Sequence, residues 1–188
     1  MSTPHIILGL VGEMAAGKST LTEYLKSAHS AVTFRFSDML RDVLERLHLE
    51  DNRSNLQMLS TALRQTFGDD LMSKVIAADV QKSAASFIIT EGVRRPSDVT
   101  YLRQIPGYIL IAVTAGERLR YERITKRTEN PDDQTKTWAE FLSEGQREAE
   151  QKIREIAARA NFTIDNNGSK EELFSSMEKI LAKLYSPS

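Results

Sequence analysis

Residues Gly12-Glu13-Met14-Ala15-Ala16-Gly17-Lys18-Ser19 spell a complete G-x-x-x-x-G-K-S segment, and its neighbours decide how it reads. An apolar run, His5 to Val11, precedes it, and Thr20-Leu21-Thr22-Glu23-Tyr24-Leu25 follows with helical spacing. A strand, a glycine-bounded loop and a helix in that order form a phosphate-binding loop. Its glycines let the backbone wrap so that successive N–H groups converge on a phosphate chain at the positive end of a helix. In such a loop Lys18 reaches the outer phosphates and the Ser19 hydroxyl ligates Mg2+. The expected ligand is a nucleoside triphosphate, held by Gly12, Glu13, Met14, Ala15, Ala16, Gly17, Lys18, Ser19 and Thr20.

The loop commits its surroundings to an α/β fold, and the rest of the chain agrees. Short apolar runs at Ile6–Val11, Val32–Phe36, Phe87–Thr90, Tyr108–Val113 and Phe162–Ile164 predict about five strands buried on both faces. Helical patterns lie between them: Leu21, Tyr24, Leu25 and Ala28 share one face, as do Leu56, Leu59, Leu63 and Phe67. Capping boxes are expected at Ser54 with Gln57, Thr137 with Glu140, and Ser169 with Glu172. Strands alternating with helices predict a three-layer α/β/α sandwich around a parallel sheet. The 188 residues suit a single domain. One polar stretch, Thr128 to Lys136, interrupts the pattern and predicts a small mobile lid over about 128–147. Trp138, Phe141 and Leu142 after it read as the apolar face of a helix, not as a base-stacking platform.

A formal net charge of -1 argues against a general nucleic-acid binder, so a site for anions must come from local clusters of Arg and Lys. The absence of cysteine excludes thiolate metal sites and a Cys nucleophile. With no leader and no apolar run long enough to span a bilayer, a cytoplasmic protein with no membrane partner is expected. The sequence does not choose between a monomer and a homodimer.

Four segments are candidates for the chemistry. Ser37-Asp38-Met39-Leu40-Arg41 joins the second strand to a helix, beside the phosphate loop. Glu91 ends the third strand and is followed by Gly92-Val93-Arg94-Arg95-Pro96; an acid there can hold Mg2+ through water or orient a nucleophile. Arg120, Arg123 and Arg127 fall on one helical face after the fourth strand, and Arg147 lies across the polar stretch. Ala160-Asn161-Phe162-Thr163-Ile164-Asp165-Asn166-Asn167-Gly168-Ser169 spans the last strand and the loop after it.

These segments, in this order, resemble the phosphate-loop small-molecule kinases, above all adenylate-kinase-like nucleoside monophosphate kinases and dephospho-coenzyme A kinases. The resemblance runs over nearly the whole chain. It implies the phosphate-loop nucleoside triphosphate hydrolase fold, with helices over about 38–82 binding the acceptor. It implies that Arg41 contacts an acceptor phosphate and that Asp38 lies beside the transferred group or its metal. Glu91, Gly92 and either Arg94 or Arg95 would complete the acceptor site, with Arg94 the first choice. Arg123 and Arg127 would close over the donor phosphates, and Asn167 and Gly168 would pack against the donor base. Lys18, Asp38, Arg123 and Arg127 are then the catalytic set, ATP and Mg2+ the cofactors, and small nucleotides the partners. Asp38 or Glu91 would join Ser19 at the metal through water.

The expected activity is transfer of the γ-phosphoryl group of ATP to a nucleoside or deoxynucleoside monophosphate. One alternative is a dephospho-coenzyme A kinase acting on a ribose hydroxyl. Another is a nucleotide-binding regulatory module without transfer. Two departures favour a nucleotide acceptor. Gly92-Val93-Arg94-Arg95-Pro96 replaces the Leu-Phe-Glu-type segment usual in dephospho-coenzyme A kinases. Arg53 to Leu71 looks more like the acceptor lid of viral deoxynucleoside monophosphate kinases.

Overall fold

The computed structural model describes residues 6–127 and 134–185. Residues 128–133, most of the polar stretch assigned to the lid, lie outside the described residues. Five strands form one sheet: β1 (Ile6–Val11), β2 (Val32–Arg35), β3 (Phe87–Glu91), β4 (Tyr108–Thr114) and β5 (Phe162–Asp165). They pair in parallel throughout, in the order β2-β3-β1-β4-β5. The expected α/β sandwich is present, each strand within a residue or so of its apolar run.

Those runs are continuous because both faces of the central strands are buried. In β1, Ile6, Leu8 and Leu10 face one layer while Ile7 and Val11 face the other; β4 repeats this with Ile111 and Val113 against Leu110 and Ala112. The first layer is α1 (Lys18–His29) and α8 (Lys170–Tyr185), which meet beneath Leu21, Leu25, Leu173, Met177 and Leu181. Leu21 and Leu25 are wholly enclosed, each stabilising the fold by about 2–3 kcal/mol relative to exposure. The second layer is built from α4 (Leu71–Lys82), two 3-10 turns (Pro96–Val99 and Leu102–Gln104) and α7 (Glu148–Ala157). The remaining helices are α2 (Asp38–Arg46), α3 (Arg53–Phe67), α5 (Glu117–Lys126) and α6 (Trp138–Gly145).

The strand order places the site. From β1 the chain crosses over β3 to reach β2, and from β3 it crosses over β1 to reach β4, in the opposite direction. Right-handed crossovers put these two connections on opposite faces. The loops after β1 and β3 therefore part, and a crevice opens above their C-terminal ends. The phosphate loop and Glu91 both lie there.

Four local expectations are corrected. The cap of α3 is Asn52, whose side chain accepts from the Asn55 N–H at 2.9 Å; Ser54 lies inside the first turn, so the Ser54 and Gln57 box does not form. Phe67 is 61% exposed although Leu56, Leu59 and Leu63 on the same helix pack against the core. Ala28, at the far end of α1, is exposed. Arg127 does not share the face of Arg120 and Arg123, because α5 ends at Lys126 and Arg127 is extended. The other two capping boxes form, at Thr137 with Glu140 and at Ser169 with Glu172.

Candidate nucleotide-binding site

The phosphate loop is held open by its own stereochemistry. Gly12 lies so close to β4 that a side chain there would collide with the carbonyl oxygen of Val113. Gly17 adopts φ 108°, and a Cβ would strike the Asn166 amide. Between them Ala15 has φ 58°, a left-handed conformation uncommon for a residue that carries a side chain. Gly17 offers no side-chain cap to α1, and the first turn of α1 holds no acid. The protein thus leaves the positive helix end and its N–H groups to an external anion.

Lys18 folds back over the loop, its Nζ donating to the carbonyls of Gly12 at 2.7 Å and Glu13 at 2.9 Å. Burial pushes its pKa down to about 8, assisted by the positive charges of Arg94 and Arg120 and opposed by the carboxylates of Glu150 and Glu91. A phosphate chain would supply the negative charge that this ammonium lacks.

On the β2–β3 side, Glu91 is fixed from two directions. One carboxylate oxygen accepts the Thr22 hydroxyl of α1, and the other accepts Arg35 Nε at 2.9 Å. Asp38 accepts the Arg35 backbone N–H at 2.8 Å and lies 3.5 Å from Arg41. Arg41 also donates to Ser37 Oγ at 2.6 Å and to Asp51 at 3.0 Å. After Gly92, whose φ is 89°, the two arginines of the loop diverge. Arg95 turns to Asp69 at 3.5 Å, whereas Arg94 is exposed and close enough to Lys18 to depress its pKa.

On the β4–β5 side, the basic residues divide by role. Arg120 is buried and pins the phosphate loop. It bonds to Ala115 O at 3.1 Å and Met14 O at 3.4 Å, and ion-pairs with Glu13 at 3.2 Å. Glu13 pairs as well with Arg154 of α7, at 2.8 Å, so both of its carboxylate oxygens are engaged. Arg123 donates to Asn166 O at 2.9 Å, and burial pushes its pKa down. Its Nη1 is buried without a partner. Arg127 is half-buried. Arg147, at the start of α7, is largely exposed, 3.8 Å from Glu144.

The loop after β5 is braced by side chains. Asn167 Oδ1 accepts the Gly116 N–H at 2.7 Å while its amide nitrogen bonds to Asp165 at 2.6 Å. Gly168 lies against the Glu172 carboxylate of the last capping box. Asn166, not singled out in the sequence, is the buried connector: its amide donates to Ala16 O at 2.7 Å and its carbonyl receives Arg123. Trp138 and Phe141 stack at 5.5 Å, with Tyr121 edge-on to Trp138 at 5.3 Å, so the first turn of α6 packs on α5 as a helix face should.

The donor set suits a hard, mostly hydrated cation. Among the described residues no cluster of three or more His, Cys, Asp or Glu side chains is arranged to hold a metal ion. Mg2+ keeps several waters and takes few protein ligands beside substrate phosphates. The exposed Ser19 hydroxyl, with the Glu91 carboxylate held near Lys18, fits that pattern.

A sequence profile of the AAA domain family matches residues 8–163, from β1 into β5. The chain belongs to that family. It is 29% identical over 185 residues to a UPF0200 protein of Hyperthermus butylicus, covering 98% of both chains. It is 26% identical over 180 residues to a UPF0200 protein of Methanothermobacter thermautotrophicus, covering 95% of this chain and 90% of that one. Among solved structures it is similar to TT1252 from Thermus thermophilus, with TM-score 0.65, 18% identity, and coverage of 97% and 100%. It is also similar to shikimate kinase from Bacteroides thetaiotaomicron, with TM-score 0.64, 14% identity, and coverage of 96% and 99%. The fold is that of the phosphate-loop small-molecule kinases. No helix among the described residues is long and apolar enough to cross a membrane.

Proposed function

We propose that the protein is a kinase that transfers the γ-phosphoryl group of ATP to the phosphate of a nucleoside or deoxynucleoside monophosphate, within one domain. The observation that carries this reading is the distribution of cations about Lys18. The charge of Arg120 reaches Lys18 from the β4–β5 side and that of Arg94 from the β3 side, and Arg123, on the same helix as Arg120, has a guanidinium nitrogen without a partner. Two phosphate-bearing ligands meeting at Lys18 match a cationic group on either flank. The phosphate loop, Lys18 and Arg123 would hold the donor, with Arg127 joining from the end of α5. Arg94, Arg41 and the Gly92 backbone would hold the acceptor. Catalysis is then positioning and charge neutralisation, because a monophosphate is already an anionic nucleophile at neutral pH. Mg2+ would be held by the Ser19 hydroxyl, with Glu91 through water, and would supply positive charge against the phosphates.

A hydroxyl acceptor, as in a dephospho-coenzyme A kinase, needs a base to remove its proton. Asp38 is the candidate, and its two oxygens are already engaged by the Arg35 N–H and by Arg41. That arrangement favours Asp38 as an orienter of Arg41 and supports the phosphate acceptor. A regulatory module without transfer has no use for Arg94 or Arg41 on the acceptor side.

Arg41→Ala is expected to lower kcat/KM for the acceptor by a factor on the order of a hundred while changing the ATP affinity little. Steady-state kinetics with each substrate varied in turn checks this. Loss of ATP affinity with normal acceptor kinetics would exchange the two phosphate sites. If Asp38→Asn is the more damaging variant and dephospho-coenzyme A the better acceptor, the hydroxyl reading replaces this one.

A further inference from the structure

The transfer scheme makes no use of a buried ion pair between Arg64 of α3 and Asp98 in the 3-10 turn Pro96–Val99. Their side chains are 9% and 3% exposed, with Arg64 Nη2 2.8 Å from Asp98 Oδ1. The other oxygen, Oδ2, accepts the backbone N–H groups of Arg94 and Arg95, each at 2.9 Å. Arg64 also donates through Nη1 to the carbonyl of Asp69, and its Nε is buried with no partner. A pair enclosed in this way adds little net stability, since desolvation offsets the attraction. The unsatisfied Nε worsens the balance.

Its geometric consequence is specific. One carboxylate fixes the two backbone N–H groups that set where the Arg94 and Arg95 side chains go. The same carboxylate is gripped by the helix on the acceptor side. That helix is otherwise lightly attached: no residue of α3 is fully buried, and Leu56, Leu59 and Leu63 are only partly packed on the core.

We infer that Arg64 and Asp98 are positioning residues that couple α3 to Arg94, so that settling of α3 over an acceptor is transmitted through the ion pair to the backbone that aims Arg94 at the phosphate loop. The inference rests on the reading of Arg94 as an acceptor ligand. It predicts that the pair governs the acceptor and leaves the donor alone. Second-layer misplacement of this kind lowers rates without touching a substrate directly.

The test uses Arg64→Met, which keeps the length of the stem and removes the guanidinium, with Arg64→Lys as the milder variant and Asp98→Asn as the partner. In Arg64→Met, amide exchange at residues 94 and 95, read by NMR in the nucleotide-free protein, is expected to rise by about tenfold. The acceptor KM, measured with the nucleoside monophosphate that the wild type uses best, is expected to rise on the order of ten- to a hundredfold. The Kd for ADP should stay within about twofold, and Arg64→Lys should recover part of the KM. A merely structural role would lower the melting temperature and shift donor and acceptor constants together; that result overturns the inference. Unchanged exchange at residues 94 and 95 in Arg64→Met and Asp98→Asn also overturns it. Should the wild type turn over no monophosphate, the proposed function falls on that result alone, and the exchange measurement still decides the coupling. If Arg64→Met does not fold, Arg64→Lys and Asp98→Asn are read in the same two ways.

Discussion

Lys18→Ala is expected to abolish phosphoryl transfer while the protein stays folded. Lys18 Nζ donates to the carbonyls of Gly12 and Glu13 in its own loop, and Lys18 belongs to neither hydrophobic core cluster, so its loss leaves the core in place. Removing a charge-assisted contact to phosphate in a desolvated complex costs about 2–5 kcal/mol, which is roughly 30- to 5,000-fold in rate or affinity. Near-normal activity would remove the phosphate-loop assignment. The wild-type residue also carries a pH signature. Its pKa in the folded protein, about 8, lies below the ordinary 10.5, so between those values the unfolded chain binds the extra proton. Stability is therefore expected to rise with pH across that window, by the Lys18 contribution alone. Nucleotide affinity should move the opposite way, falling above about pH 8 as the free protein loses the ammonium. Calorimetric titration with ADP from pH 7 to 9.5 checks this, and a flat profile would contradict it. In Lys18→Ala both trends should disappear.

Glu13→Ala should be the most destabilising change within the loop. Arg120 is buried at 4% side-chain exposure and has Glu13 as its ion-pair partner. Breaking such a pair by removing one member typically costs about 3–5 kcal/mol, because a charge is left behind in a poor solvent. Here the bonds from Arg120 to Ala115 O and Met14 O retain part of the satisfaction, which points to the lower end of that range. Since folded domains hold only about 5–15 kcal/mol in reserve, the shift in denaturation midpoint should be large. Replacing both members by Met, which leaves no buried charge at this pair, should recover much of the loss. A double variant as unstable as Glu13→Ala alone would show that the loop needs the ion pair itself. Arg154 would remain, but it is 40% exposed and can turn to water.

Glu13 also shows what the sequence hid. The central strands were legible because their apolar runs are buried on both faces, whereas the edge strands β2 and β5 are only partly buried; the phosphate loop was legible because its spacing follows a fixed pattern. Arg120, Arg123 and Arg127 looked alike as three members of one basic face. Their roles separate only through partners elsewhere in the chain. Arg120 finds Glu13, 107 residues away by number, and Arg154 finds the same carboxylate across 141 positions. Arg154 gave no signal at all, since it sits in an ordinary amphipathic helix. Asn166 and Asn167 are equivalent on paper, yet one is turned inward to Ala16 and the other outward to Gly116. Asn52 captured the α3 cap from Ser54 because capping needs only an oxygen and an extended residue, and several sequence registers offer both. The sequence left Arg94 and Arg95 alike, with no sign that Asp98, four and three residues beyond them, fixes the backbone of both.

If cations on both sides of Lys18 serve two phosphate-bearing substrates, a second phosphate should stimulate turnover of the first. The most direct test is ADP release from ATP and Mg2+ against a panel of ribo- and deoxyribonucleoside monophosphates, with dephospho-coenzyme A, shikimate and water as the other acceptors. ADP formation stimulated by at least one monophosphate is expected, with the matching diphosphate as the second product. ADP release that no monophosphate stimulates, or that only a hydroxyl acceptor stimulates, would contradict it.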